Sequence, residues 1–266
     1  MAFPRTVNLD YGDEKKESSS AIGNLSLGTR GVTPDGRVFY YAKNSSAAIT
    51  SGGMLVDGIA AVAAHDMDLT VTAATAVGSA TISLEVPTTD LTKNQYQDGY
   101  IVFNDGPGEG EIYRIASHPA HDASDDNTCV FTLVDPSGTR TALTTSSLAG
   151  LVYNPYTDVK LIDGDGTMTT GVLGVTTIPV TASYYCWIQT SGLGSVGVGA
   201  QVGIVGDALT VSQESAEDGL AERADHSDES DLATIGVAIG IASVGGVISG
   251  GVHAGDKQLC LLHIRS

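Results

Sequence analysis

Five side chains able to ligate a metal fall within nine positions: His118, His121, Asp122, Asp125 and Asp126. Imidazole and carboxylate together suit zinc and similar ions. The segment HPAHDASDDN nevertheless reads as a hydrated loop between two strands, with nothing to hold the ligands in place, and no metal is expected. Asp163-Gly164-Asp165-Gly166-Thr167 opens like a calcium loop. An EF-hand would want a ligand at the fifth position, Gly at the sixth and Glu at the twelfth. Thr167, Met168 and Gly174 stand there, so a tight turn is the better reading. Gly192-x-Gly194-x-x-Gly197 matches the dinucleotide fingerprint in its letters. That fingerprint needs a helix next, whose N-terminus holds the pyrophosphate. The residues that follow, VGAQVGIVGD, carry no helical period, and a turn at a strand edge is expected instead.

Nucleophilic chemistry finds no better support. Leu193-Gly194-Ser195-Val196-Gly197 lacks the first Gly of a nucleophile elbow and its strand–turn–helix setting. His65 stands beside Asp66 with no nucleophile near it in sequence. A glycosidase needs two facing carboxylates. The 31 acids supply candidates, but a single Trp and 6% aromatic residues leave little to line a sugar-stacking cleft. Cys129, Cys186 and Cys260 are too few and too far apart for a disulfide framework or a metal ligand set. They read as small buried apolar side chains. No catalytic residue, cofactor or enzymatic activity is expected.

The elements behind these residues follow from composition and period. Gly is 33 of 266 residues and only 17% are charged, which argues against long helices; 42% hydrophobic content argues against global disorder. A net charge of −18 repels phosphate backbones, so nucleic acid is not an expected partner. The start, MAFPRTVNLDYGDEKK, has no apolar core of a secretory signal. Residues 166–206 and 232–255 hold no Asp, Glu, Lys or Arg. From Ile235 to Ala242, bulky residues at odd positions alternate with Gly or Ala at even ones. That is period 2, a strand with one tightly packed face rather than a membrane helix, and no membrane partner is expected.

Strand signals recur at short intervals. Thr81–Val86 alternates, with Ile82, Leu84 and Val86 facing inward. GYIVFN (99–104) and EIYRIA (111–116) flank the Gly-rich loop DGPGEG as a hairpin. CVFTLV (129–134) runs into the turn Asp135-Pro136-Ser137-Gly138. Residues 37–42, 158–162, 184–189 and 258–264 supply further strands, and 215–224 is the best helix candidate. The acid-rich run 212–231, with eight acids and one base, reads as solvated.

The expected fold is all-β, a β-barrel or sandwich of residues 21–69 and 158–266. Residues 70–157 form an inserted second small β domain, and residues 1–20 an extended N-terminal arm. The Thr-rich stretch near 72–80 and the Asn154-Pro155 break set those boundaries. In the arm, Val7, Leu9 and Tyr11 alternate with polar residues after Arg5. Ordering such a segment costs about 1–2 kcal/mol per residue. The arm is therefore expected to be disordered alone and to add a strand to a partner's sheet, with Arg5, Val7, Leu9 and Tyr11 as partner-binding residues.

Five segments resemble virion structural proteins of tailed bacteriophages, of the capsid cement or decoration type. They are LGTRGVTPDGRVFYYAKN (27–44), YQDGYIVFNDGPGEGEIYRIASHPA (96–120), NPYTDVKL (154–161), GVTTIPVTASYYCWIQTSG (174–192) and TIGVAIG (234–240). The resemblance implies a β-rich protein, often a homotrimer, on the outer face of an icosahedral head, where it clamps and stabilises the major capsid protein. It carries over no catalytic residue. The alternative is a host- or glycan-binding virion protein, for which Tyr184, Tyr185 and Trp187 would have to lie on an accessible face.

Overall fold

Alternating apolar residues build most of the strands, and long-range pairing closes them into rings. The computed structural model describes residues 6–23, 25–124, 128–199, 204–224, 234–240 and 256–265. The chain is all-β, with a closed five-stranded barrel, a nearly closed six-stranded barrel-like sheet and further strands. The described residues hold no α-helix and no helix long and apolar enough to cross a membrane. Two units emerge, residues 1–59 with 155–266, and residues 60–154.

The first unit begins with β1 (Thr6–Asn8), a 3-10 turn at Asp13–Lys15, β2 (Arg30–Val32), β3 (Val38–Lys43) and β4 (Leu55–Asp57). The inserted unit supplies β5 (Leu69–Thr70), β6 (Thr81–Glu85), β7 (Tyr100–Asp105), β8 (Ile112–Ser117), β9 (Thr128–Leu133) and β10 (Leu148–Val152). The chain then returns through β11 (Lys160–Leu161), β12 (Gly174–Thr176), β13 (Tyr185–Val198), β14 (Ala208–Val211), β15 (Ala221–Arg223), β16 (Gly236–Gly240) and β17 (Asp256–His263).

In the inserted unit the sheet order is β5-β10-β7-β8-β9-β6. The ends approach through a bridge between Val71 and Leu84, which brings the sheet close to closure. Ile82, Leu84 and Val86 face the core as their alternation requires, beside Ile101, Phe103 and Ile115. The DGPGEG loop joins β7 to β8, and the turn after β9 closes with Gly138 N–H donating to the Asp135 carbonyl at 3.1 Å.

Strand β13 organises the other unit because it is long enough to serve two rings. Its second half pairs with β17 and meets β15, and the order β13-β15-β14-β16-β17 returns to β13, closing the barrel. Val196, Leu209, Val211, Ala238, Cys260 and Leu262 fill that barrel. Its first half pairs β3 on one side and β12 on the other. Strand β12 continues to β4 and β11, and a bridge from Asn44 to Val159 leads back to β3. Tyr40, Ala42, Val56, Val159, Cys186 and Ile188 fill this second interior. The glycine fingerprint lies inside β13 rather than at a strand edge, and Gly192, with φ +87°, takes the left-handed backbone beside the bulge between β13 and β3.

Three expectations need correction. No helix forms over 215–224: Gly219 adopts φ +68°, which breaks a helix, and Ala221–Arg223 finds a ladder partner in β14. The insertion spans 60–154 rather than 70–157. Strand β5 pairs with β10 inside that unit, while Tyr156 stacks on Tyr40 in the other at 5.2 Å. The described part of the arm, 6–20, is not a detached extension but a layer of the first unit. Strand β1 pairs in parallel with β2, Ser18 bridges to Tyr185, and Leu9 packs with Phe39, Tyr41 and Trp187. The physical reason is that β3 and the first half of β13 carry large side chains on both faces. The face away from the interior needs a cover, and the N-terminal segment is that cover.

Candidate functional site

The partner-binding residues expected in the arm divide three ways. Arg5 lies outside the described residues. Leu9 is buried and Val7 half-buried against the same aromatic face, so both serve the chain's own fold. Tyr11 is 66% exposed and stays available. The segment is tied down further along. Glu14 is buried and pairs with Arg37, Nη2 to Oε1 at 3.2 Å, while its other carboxylate oxygen accepts the Gly12 N–H at 2.6 Å. Glu17 accepts the Thr181 N–H at 2.6 Å and the Thr181 hydroxyl at 2.7 Å. At the crossing point, a Cβ on Gly31 would lie 2.7 Å from Leu9 Cδ1 and 2.9 Å from Trp187 Cζ3, so only glycine admits this packing. Trp187 is 3% exposed, and Tyr184 and Tyr185 are half-buried. Trp187 is thus covered by the chain itself, while Tyr184 and Tyr185 keep part of their surface in solvent.

The described residues with metal-like spacing, His118, His121 and Asp122, form no metal-binding group. His118 Nε2 accepts the Tyr96 N–H at 3.0 Å, and its Nδ1 donates to the Pro119 carbonyl at 2.8 Å. His121 Nε2 donates to the Val86 carbonyl at 3.0 Å. Asp122 turns back on Ser124, and Asp125 and Asp126 lie outside the described residues. No group of three or more His, Cys, Asp or Glu among the described residues is placed to hold a metal ion. In the 163–167 turn, Asp165 accepts the Thr167 N–H at 2.9 Å, and Asp163 faces Lys160 at 3.4 Å. His65 is buried and bonds Tyr96 and the Thr89 carbonyl, so its ring is occupied.

Burial pushes the thiols up, to about 11 for Cys129 and about 12 for Cys186 and Cys260. All three are free and buried, in line with their reading as small apolar side chains.

The acid-rich run is only partly solvated. Glu214 and Asp218 are exposed, but Glu217 and Glu222 are buried beside Ser212. The Ser212 hydroxyl lies 2.6 Å from Glu217 Oε2 and 3.4 Å from Glu222 Oε2. A hydroxyl has one proton to donate, and the shorter distance assigns it to Glu217. Burial, reinforced by Glu217 and Glu214, raises the pKa of Glu222. Residues 225–231 of the run lie outside the described residues.

One surface was not foreseen. On the outside of the closed barrel, Leu193 on β13 faces Leu261 on β17, which faces Val237 on β16. Leu193 is 48% exposed, Leu261 38%, and Ile239 at the adjoining bulge 39%. This row of apolar side chains crosses three neighbouring strands. The alternation in 235–242 was its signal, since it separates a bulky face from a small one. Period alone does not say which face is inside. The faces are not sorted by size: Ala238 is fully buried and Ile239 reaches solvent, while Ile235, also bulky, is buried.

No family model matches the chain, and comparison with the curated proteins and with the solved structures found no match. The fold defines a class only, an all-β protein of two compact units.

Proposed function

We propose that this protein is a structural virion component, a capsid decoration protein that binds the major capsid protein on the outer face of a tailed-phage head. In this reading copies associate with one another, as a homotrimer, and the protein performs no catalysis. The observation that carries it is the apolar row Leu193–Leu261–Val237 on a barrel exterior, in a chain of net charge −18. Copies carrying that charge repel one another wherever acids face acids. A neutral, apolar face is where they can approach, and exposed apolar rows of this kind mark association sites. The segments that resemble decoration proteins support the choice of partner. The satisfied rings of His65, His118 and His121 and the buried thiols support a role in packing rather than in chemistry.

The test is to mix purified protein with undecorated heads and measure its ratio to the major capsid protein after sedimentation. A fixed, saturable ratio is expected. Absence of co-sedimentation at micromolar protein would overturn the assignment.

A further inference from the structure

Three of the chain's six histidines lie in the inserted unit, at positions 65, 118 and 121. They come from two separate stretches of sequence, yet all three rings bond to one connection, the stretch between β6 and β7. His121 Nε2 donates to the Val86 carbonyl at 3.0 Å, and His65 Nε2 donates to the Thr89 carbonyl at 3.2 Å. His65 Nδ1 meets the Tyr96 hydroxyl at 2.9 Å, and His118 Nε2 accepts the Tyr96 N–H at 3.0 Å. The main chain of the same histidines adds to this. Leu91 and His121 exchange two backbone hydrogen bonds at 2.9 Å, and Asn94 bonds His118 through both its backbone and its side chain. Leu91 and Tyr96 are thereby pinned into the core, where Tyr96 stacks on Tyr153 at 4.4 Å.

We propose that residues 87–99 form an acid-released strap on the inserted unit, held closed by neutral histidines, with His118 as the trigger.

His118 is singled out by the direction of its bonds. A backbone N–H can only donate, so the Tyr96 N–H requires a bare lone pair on His118 Nε2. The other ring nitrogen already donates to Pro119. A second proton on this ring would therefore set N–H against N–H, and the bond from Tyr96 must break. His65 is more tolerant, because the Tyr96 hydroxyl can rotate from donor to acceptor. Among the described residues no carboxylate acts on His118, whereas Asp66 partly offsets burial at His65. Around His118 stand Tyr96, Asn94, Phe131 and Pro119. Around His65 stand Tyr96, the neighbouring Asp66 and His121, and His121 lies near Asp122. Among the described residues no carboxylate bonds any of the three rings. Burial accordingly lowers the pKa of His65 and of His118 below the ordinary histidine value.

The sign follows from these depressed values. The closed strap disfavours the second proton, most strongly on His118, while an opened strap returns the rings to an ordinary pKa of about 6.5. Closure is fully supported above that pH and weakens as the pH falls below it, towards the folded values. Between pH 7.5 and 5 the open population should rise about 30-fold for each histidine that stays neutral in the closed form.

Hydrogen–deuterium exchange on the full chain tests this, corrected for the intrinsic pH dependence of exchange. Protection of 87–99 should fall from pH 7.5 to 5, by up to about 30-fold for each ring that stays neutral in the closed form, while β13 keeps its protection. His118→Gln supplies an amide oxygen that accepts the Tyr96 N–H and does not titrate. Its pH response should be smaller than that of the unsubstituted chain, by up to about 30-fold. Unchanged protection of 87–99 across this range, or an undiminished response in His118→Gln, overturns the proposal. If the variant does not fold, 15N NMR of the histidine rings in the unsubstituted chain decides. His118 should hold its proton on Nδ1 at pH 7.5 and take up a second only as the strap opens. Titration of His118 near 6.5 with the strap still protected refutes it.

Discussion

Replacing Leu9 by Ala is the most direct test of where the N-terminal segment lies. Leu9 is buried on an aromatic face formed by Phe39, Tyr41 and Trp187, and a detached arm would make the same substitution silent. Truncating a buried Leu to Ala costs about 2–5 kcal/mol, the lower values where the site can relax or fill with water. Leu9 covers the outside of a sheet, so about 2–3 kcal/mol is expected. For a unit of 150–250 residues, that corresponds to a melting-temperature decrease of about 5–10 °C. The chain contains a single Trp, and it lies directly beneath this leucine. Its fluorescence therefore reports the cover itself. Emission should shift to longer wavelength in Leu9→Ala as water reaches Trp187. Tyr11→Ala, at an exposed position two residues on, should change stability by less than about 0.5 kcal/mol. Unchanged emission and melting temperature in Leu9→Ala would show that β1 does not sit on the sheet in solution. The cover described for β3 and β13 would then be wrong.

Further outcomes follow from the same packing. Gly31→Ala places a methyl group against Leu9 and Trp187 and should destabilise by about 1–3 kcal/mol in a denaturant titration. Arg37→Ala leaves the buried Glu14 carboxylate without its cation and should cost about 2–3 kcal/mol by the same measurement, because the arginine is partly solvated. The thiols of Cys129, Cys186 and Cys260, all raised by burial, should resist a disulfide reagent at pH 8 and react only after denaturation. Rapid native labelling would contradict their placement. Leu261→Asp sets a charge in the middle of the apolar row and should convert an oligomer to a monomer in sedimentation velocity. A wild-type chain that is already monomeric at tens of micromolar would remove the role given to that row.

The residues alone carried the all-β class and many of the strands. Ile82, Leu84 and Val86 alternate because a strand turns successive side chains to opposite faces, and that geometry is local. The hairpin at DGPGEG and the turn at 135–138 were legible for the same reason, since Gly, Pro and Asp set backbone angles residue by residue. The cysteines were legible as inert by their number and spacing. Period 2 states that a strand has two unlike faces, but not what lies against each. Only the tertiary structure decided that the N-terminal segment covers Trp187, that Ala238 faces inward and Ile239 outward, and that Glu217 and Glu222 of an acid-rich run are buried. It also decided that three histidines, two of them spaced like metal ligands, close on one connection instead. Each of these depends on pairing between residues far apart in the chain, such as Ser18 with Tyr185 or Leu193 with Leu261. Local preference cannot encode such partners, because they are selected by which apolar faces remain to be covered once the strands exist.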